Sequence, residues 1–279
     1  MATMSRHHDL APQPTSDPIR RAEAGAWLIE LLPANAYEAR YVASQSAVGF
    51  AFDSQRGDHA IASDRIRPFD AVPNGLAFVP AGCDVYSRSL HGGEYLRVLR
   101  RDEGAFDDEQ VFSRVLNRLF NNVIDTPAIR LAGQMRKALL TPSADDDWEA
   151  WAMTLAGRIS ADAPLPLSTR GSLTATRLRL LDEFIDAGLG DAISVQAIAS
   201  LLGLSEGYFM RAFSEATGSS PHRYLVDRRV ARARTLLRDS TLGLADIAHA
   251  CGFSSQAHLA TTFKQRLGVS PGVLRACLR

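Results

Sequence analysis

Arginine is the residue type with the widest chemical potential in this sequence. Only two lysines occur, Lys137 and Lys264, so arginine supplies nearly all of the 31 basic side chains. A guanidinium can donate two parallel hydrogen bonds to a phosphate or to the edge of a guanine, which an ammonium cannot. Before Ser168 there are 17 basic and 22 acidic residues, and from Ser168 onward 14 basic and 9 acidic ones. The zero net charge therefore combines an acidic N-terminal part with a basic C-terminal part that attracts anionic partners.

Cysteine and histidine offer little for metal binding or catalysis. The three cysteines lie too far apart in the chain for a zinc motif or a disulfide framework, and we expect reduced thiols. A metal site on adjacent strands would need clustered histidines and a carboxylate, for which the candidates are His59, His91 and Glu94. They lack a His-x-His pair, and the sequence contains neither a nucleophile elbow nor a phosphate-binding loop. We expect no catalytic residues, no metal and no cofactor.

The positions of apolar and turn residues divide the chain into segments. Residues 25–105 contain strand-like stretches at 26–32, 48–52, 75–80 and 95–99, separated by turn signals such as Asn74-Gly75, which favours a sandwich or a small barrel. From 106 to 160 the period is helical, with helices predicted over 111–120, 127–140 and 148–159. Residues 161–172 are typical of a linker, and residues 1–24 of a disordered lead-in without an apolar signal core.

The region 173–279 is predicted to be helical throughout and contains an internal repeat. The shared positions are Ile198-Ala199, Gly203, Ser205, Phe213, Gly218 and Ser220-Pro221 in the first copy and Ile247-Ala248, Gly252, Ser255, Phe263, Gly268 and Ser270-Pro271 in the second. The offset is 49 residues up to the first glycine and 50 from the serine on, because the second turn has one extra residue near Ser254. Each copy predicts a helix ended by glycine, a turn, and a second helix capped by serine. That arrangement is a helix-turn-helix unit, whose second helix enters the major groove of DNA.

These motifs resemble the AraC/XylS family of bacterial transcription regulators over about 174–279. The most specific stretch is the second copy, with Ile247-Ala248, Cys251-Gly252-Phe253, Ser255-Gln256, Phe263-Lys264 and Gly268-Val269-Ser270-Pro271. The strand-rich region is similar to the cupin-like sensor part of the family. The resemblance implies an α+β chain with a cupin-like β-rich sensor domain (25–105), a helical dimerisation segment (106–160), a linker (161–172), and an all-α domain with two helix-turn-helix units (173–279). It also implies recognition helices in adjacent major-groove segments, roughly 34 Å apart.

The resemblance assigns candidate DNA contacts residue by residue. The base-facing candidates are Glu206, Gly207, Met210 and Arg211 in the first recognition helix and Ser255, Gln256, Ala257, His258 and Thr261 in the second. The phosphate-binding candidates are Arg223, Arg228, Arg232, Lys264 and Arg266. Arg211 suits guanine and Gln256 suits adenine, with a phosphate contact or surface ion pair as the alternative for the first and helix capping for the second. Gly207, Met210 and Thr261 depart from the larger or more polar residues of many relatives, which reduces the base reading expected there.

We therefore predict a cytoplasmic, sequence-specific transcription regulator. Its expected partners are double-stranded DNA, a second copy of the chain, a small-molecule effector and RNA polymerase, without a membrane partner. The alternatives are a cupin-type metal-dependent enzyme, a DNA-binding adaptor that needs no effector, and a barrel whose interior is filled by its own side chains.

Overall fold

The computed structural model describes residues 20–63, 65–101, 123–160, 173–191 and 193–278. Its N-terminal part consists of antiparallel strands, and its C-terminal part is helical, which confirms the predicted α+β class. The predicted helix over 111–120 and the linker over 161–172 lie outside the described residues. Among the described helices, none is long and apolar enough to cross a bilayer.

The strands form two sheets. Their bounds are β1 Arg20–Ala24, β2 Trp27–Leu32, β3 Tyr37–Val42, β4 Ala47–Ala51, β5 Gln55–Ile61, β6 Arg67–Ala71, β7 Gly75–Val79, β8 Asp84–Ser89, β9 Tyr95–Arg100 and β10 Val123–Ile124. The first sheet has the order β1-β2-β9-β4-β7-β10 and the second β3-β8-β5-β6. Residues 20–24, which the sequence assigns to the disordered lead-in, form strand β1. The prediction was wrong there, because all five residues pair with β2, from Arg20 with Leu31 to Ala24 with Trp27.

The six-stranded sheet has one face against helices and one face toward the second sheet. Trp27, Ile29 and Leu31 alternate along β2 and are buried on the helical side, and Leu96 and Val98 of β9 join them there. Tyr95 and Arg97, which alternate with those residues on β9, line a cavity between the two sheets instead. This period-two pattern is what a strand with two differently covered faces requires.

Two helices cover that first sheet. They are α1 Thr126–Leu140 and α2 Trp148–Ser160, as predicted from their period. The inward positions Ala132, Met135 and Leu155 are fully buried in the same core as the sheet residues. Asp125 caps α1 by accepting a hydrogen bond from the backbone N–H of Ala128 and also pairs with Arg158 of α2. The apolar faces of α1 and α2 are therefore covered by the chain's own sheet.

Among the described residues, the C-terminal part contains seven helices: α3 Ala175–Ala187, α4 Val195–Leu201, α5 Glu206–Thr217, α6 Pro221–Asp239, α7 Leu244–Ala250, α8 Gln256–Leu267 and α9 Pro271–Leu278. They enclose two separate hydrophobic cores. Phe209 and Phe213 lie in the first, with Tyr224 from the start of α6. Leu259 and Phe263 lie in the second, with Val230 from further along α6. Helix α6 thus belongs to both cores and joins them.

Candidate nucleic-acid interface

The two copies of the sequence repeat fold as two helix-turn-helix units. In the first, α4 ends before Gly203, which has a φ of 66°, and the N–H of Leu204 donates to the carbonyl of Ala199 at 2.9 Å. In the second, Gly252 has a φ of 74°, and the N–H of Phe253 donates to the carbonyl of Ala248 at 2.9 Å. The same hydrogen bond closes both turns, so the repeated glycine and apolar positions of the sequence produce the same backbone conformation twice.

The starts of the two recognition helices, α5 and α8, differ. Ser255 caps α8, because its hydroxyl accepts a hydrogen bond from the N–H of His258 at 3.1 Å. Ser205 occupies the equivalent N-cap position of α5 but makes no side-chain cap hydrogen bond, so the predicted cap was wrong there. The extra residue of the second turn, near Ser254, adds a further contact to the start of α8. The Ser254 hydroxyl lies 3.0 Å from Nδ1 of His258, whose ring meets Phe253 edge-on.

The base-facing candidates all occupy exposed positions on the leading turns of the recognition helices. They are Glu206, Gly207, Met210, Arg211, Ser255, Gln256, Ala257, His258 and Thr261. The opposite sides of α5 and α8 carry the buried Phe209, Phe213, Leu259 and Phe263. Each recognition helix therefore has its apolar side in its own core and leaves its first turns available to a partner.

The phosphate-binding candidates are divided between open and occupied positions. Arg223, Arg232 and Lys264 are exposed, and Arg223 pairs with Asp227 at 3.8 Å. Arg266 pairs with Asp227 at 3.2 Å, and burial raises the pKa of that carboxyl. Arg228 is largely covered, with 15% of its side chain exposed, because it pairs with Asp186 and donates to the hydroxyl of Ser54 at 2.8 Å. Ser54 belongs to the β-rich part, so Arg228 faces that part of the chain in this arrangement.

The three residues considered for a metal do not come together. Among the described residues no group of three or more His, Cys, Asp or Glu side chains has the geometry to hold a metal ion. His59 stacks on Phe69 with ring centroids 5.0 Å apart, and burial lowers the pKa of its imidazole. Glu94 accepts hydrogen bonds from Arg136 and Arg234. This paired carboxylate is the residue whose role the sequence reasoning missed.

The cavity between the two sheets has a volume of about 360 Å³. Its polar groups include Tyr37, Gln55 and Ser87, which are joined because the Tyr37 hydroxyl donates to Oε1 of Gln55 at 3.3 Å and lies 3.1 Å from the Ser87 hydroxyl. Arg97 also lines the cavity, but it pairs with the buried Glu30 at 2.6 Å. The cavity lining is therefore largely aromatic and aliphatic, and the positive charge of Arg97 is balanced by Glu30. The presence of this cavity contradicts the alternative of a barrel filled by its own side chains.

The C-terminal units match known proteins in sequence. Residues 198–276 match the family model described as a helix-turn-helix domain. The transcriptional activator RhaS of Escherichia coli O1:K1 is 36% identical over 102 residues, which cover 37% of this chain and 37% of RhaS. The chain thus spans about a third of the length of the curated relatives it matches.

Solved structures with similar regions include the DNA-binding domain of AdpA in complex with a target DNA, at 31% identity and a TM-score of 0.35 over 37% of this chain and 92% of that one. An AraC-type regulator from Chromobacterium violaceum has 30% identity and a TM-score of 0.35, over 36% of this chain and 90% of that one.

The two units with their shared helix define a double helix-turn-helix DNA-binding domain. By sequence, this region is similar to the matched helix-turn-helix family and to the transcriptional activator RhaS.

Proposed function

We propose that this protein is a sequence-specific transcription regulator that reads two adjacent major-groove segments with α5 and α8. The observation that carries the proposal is the pair of equivalent units on one shared helix, α6, with both leading turns exposed. The basic C-terminal part supplies the attraction to phosphates. Within it, Arg232 and Lys264 are exposed candidates for phosphate contacts. Arg223 is also exposed but pairs with Asp227 at 3.8 Å, and Arg228 and Arg266 must likewise give up their carboxylate partners first.

Selection of bound duplexes from a random pool tests this proposal. The selected sites should contain two conserved segments about one helical turn apart, and footprinting should show protection of about two turns for each protomer. Affinity should fall steeply with salt as counterions leave the phosphates. If the selection enriches no DNA sequence, or if the affinity for DNA does not change with salt concentration, the proposal is contradicted. An adaptor without gene control would give no defined footprint.

We further propose that the cavity between the sheets binds the effector of this regulator. Its volume of about 360 Å³ lies in the range of small-molecule sites. The charged lining residues Arg97 and Asp70 are paired with Glu30 and Arg56, and burial lowers the pKa of His59. The walls therefore favour a neutral ligand. The hydroxyl of Tyr37 and the amide of Gln55 can orient it by one or two hydrogen bonds. The ligand class is thus a mainly apolar, uncharged molecule with a hydroxyl or carbonyl group.

Thermal melting with a panel of neutral phenols and matched carboxylates tests the effector site. A ligand present at 100 times its Kd should stabilise the folded state by about 2.7 kcal/mol and raise the Tm. The variant Ala77→Phe fills part of the cavity and should lose the shift, whereas Met153→Ala, on an exposed position of α2, should keep it. Stronger shifts with the carboxylates would refute the proposed ligand class.

We also propose that the protein forms a dimer and contacts RNA polymerase. The dimerisation segment predicted over 106–160 includes α1 and α2, whose buried faces lie on the chain's own sheet. A dimer through this segment would therefore use the outer surface, where Met153 is 58% exposed. Sedimentation of Met153→Glu against wild type tests this surface: an unchanged dimer would place the interface elsewhere.

A further inference from the structure

Glu94 joins the β-rich part to two helices at once. Its side chain is 1% exposed, and its Oε2 accepts hydrogen bonds from Arg136 Nη1 at 3.0 Å and from Arg234 Nη1 at 2.6 Å. Arg136 lies on α1 and Arg234 on α6. Burial raises the pKa of Glu94, but the two guanidinium groups outweigh it, so the net shift is downward and the carboxyl stays charged. A single buried carboxylate therefore fixes the position of α1 relative to α6.

Helix α1 also touches both helix-turn-helix units, and it does so at equivalent positions of the repeat. Gly218 ends α5, and a methyl group added there would lie 2.5 Å from Cδ1 of Ile129. Gly268 ends α8, and a methyl group there would lie 2.7 Å from the hydroxyl of Thr141 and 2.9 Å from Cγ of Lys137. Ile129 is near the start of α1, and Lys137 and Thr141 are at its end. The helix thus braces the far ends of both recognition helices.

This contact adds a second connection between two units that otherwise have separate cores. Helix α6 is the first connection, because residues from its start and its later turns belong to different cores. With 15 residues, α1 spans about 22 Å at ~1.5 Å per residue, enough to reach from one unit to the other. Two helices joined by Glu94 restrict the relative motion of α5 and α8 more than one helix alone.

The same carboxylate is adjacent in sequence to the cavity. Gly93 and Tyr95, on either side of Glu94, both line the cavity, and Nε2 of Gln55 lies 3.5 Å from the carbonyl of Gly93. The turn at Asn74 repeats this arrangement: its Nδ2 donates to the carbonyl of Thr217 at the end of α5 at 2.9 Å, while the following Gly75 lines the cavity. A ligand that displaces the backbone at 93 or 75 would move groups that hold the DNA-binding domain.

We propose that Glu94, through α1 and α6, sets the spacing of the two recognition helices and connects that spacing to the contents of the cavity. The inference rests on the proposed function, since it assumes that α5 and α8 read DNA together. With α1 and α6 joined by Glu94, the leading turns of α5 and α8 are exposed and held at a fixed spacing. The two helices are thus preorganised for a two-segment site, which lowers the entropic cost of ordering the protein when it binds DNA. Losing the carboxylate should weaken binding to two segments but not to one.

The test compares full-length wild type, Glu94→Gln and the control Glu23→Gln by anisotropy of labelled DNA. Glu23 is also a carboxylate paired with an arginine, Arg101 at 2.9 Å, but neither residue of this exposed pair lines the cavity. On the selected duplex we expect Glu94→Gln to bind about tenfold more weakly than wild type, within the usual range of coupling between sites, and Glu23→Gln within about twofold. On a duplex with one segment scrambled, all three should bind alike. Equal binding of wild type and Glu94→Gln to the intact duplex would overturn the proposal.

A milder variant and a second measurement test the proposal even if Glu94→Gln fails to fold. Asn74 has a φ of 66°, so Asn74→Gly keeps the backbone of the turn while removing the bond to Thr217. It should weaken two-segment binding by about threefold, in the lower part of the range of coupling energies. Hydrogen exchange without DNA should be faster in α1 for Asn74→Gly and Glu94→Gln than for Glu23→Gln, and unchanged protection of α1 overturns the proposal. If the wild type selects no duplex, the proposed function is refuted. If the wild type selects a duplex and the variants bind that duplex with the same affinity, only the coupling through Glu94 is refuted.

Discussion

The two turn glycines of the repeat, Gly203 and Gly252, should respond very differently to the same substitution. Both have positive φ, so an alanine at either position adopts a left-handed conformation at a cost of about 1–2 kcal/mol. Around Gly203, apart from its neighbours in the chain, no atom of the described residues lies within 4 Å of an added methyl group. At Gly252 that methyl group would lie 2.3 Å from the carbonyl oxygen of Leu189 and 2.9 Å from Cζ of Arg229. The second substitution therefore adds a steric cost to the conformational one.

The steric cost falls on the contact between the two units. Leu189 follows α3 in the first unit, and Gly252 lies in the turn of the second. To relieve the overlap the backbones must separate and Arg229 must move, which breaks its 2.9 Å bond to the carbonyl of Asp191. Overpacking of this kind costs about 1–3 kcal/mol. We expect Gly203→Ala to lower the free energy of unfolding by about 1–2 kcal/mol and Gly252→Ala by about 2–5 kcal/mol.

Urea unfolding followed by circular dichroism at 222 nm, a helix-sensitive wavelength, measures both variants, and anisotropy measures their binding to DNA. Gly203→Ala should keep the affinity for a two-segment duplex, whereas Gly252→Ala should weaken it because the units are displaced relative to each other. Equal destabilisation by the two substitutions would refute the reasoning, because it would mean that the close approach of Leu189 to Gly252 has no energetic weight.

Three further predictions concern single side chains. In a competition assay, Arg211→Ala should reduce the binding free energy by about 1–3 kcal/mol and relax the preference at one base position. An equal loss of affinity on every duplex would instead assign Arg211 to a phosphate contact. Ser194→Ala should lower stability by about 1 kcal/mol because Ser194 caps α4, accepting from the N–H of Ala197 at 3.0 Å, while Ser205→Ala should change it little; similar melting shifts would contradict this. The pKa of Glu94 is lower in the folded state than in the unfolded chain, so its contribution is present above the ordinary glutamate range and lost as the pH falls through the folded pKa. The difference in Tm between wild type and Glu94→Gln should therefore shrink on acidification, and a constant difference would be inconsistent with an ionised Glu94.

Local patterns predicted the helical units well because their signals are short-range. Gly203 and Gly252 mark the turns, and the apolar residues at intervals of four, such as Phe209 and Phe213, mark the buried faces. The same local reasoning failed for the Ser205 cap, since a suitable residue at the N-cap does not guarantee the side-chain rotation that makes the bond. It also failed for strand β1, whose mostly polar residues 20–24 are ordered by pairing with β2 rather than by their own propensity.

Contacts between distant parts of the chain could not be predicted. Glu94 and Arg234 are 140 residues apart, and no periodicity relates a strand to a helix in another domain. Arg228 illustrates the same limit. Its type and place on α6 suit a phosphate contact, yet the fold presents Asp186 and Ser54 to it. The candidate DNA surface could be predicted because its sequence motif occurs twice. The connection between Glu94 and the cavity occurs once and leaves no local pattern in the sequence.

The separate cores of the two units have a consequence for how such a protein can change its targets. Substitutions on the leading turn of α5 leave the packing around Leu259 and Phe263 untouched, and those on α8 leave Phe209 and Phe213 untouched. Under the proposed function, either half of the preferred DNA site can therefore change while the other half still holds the protein on its original site. New specificity would then be reached through intermediates that keep partial affinity, one half-site at a time.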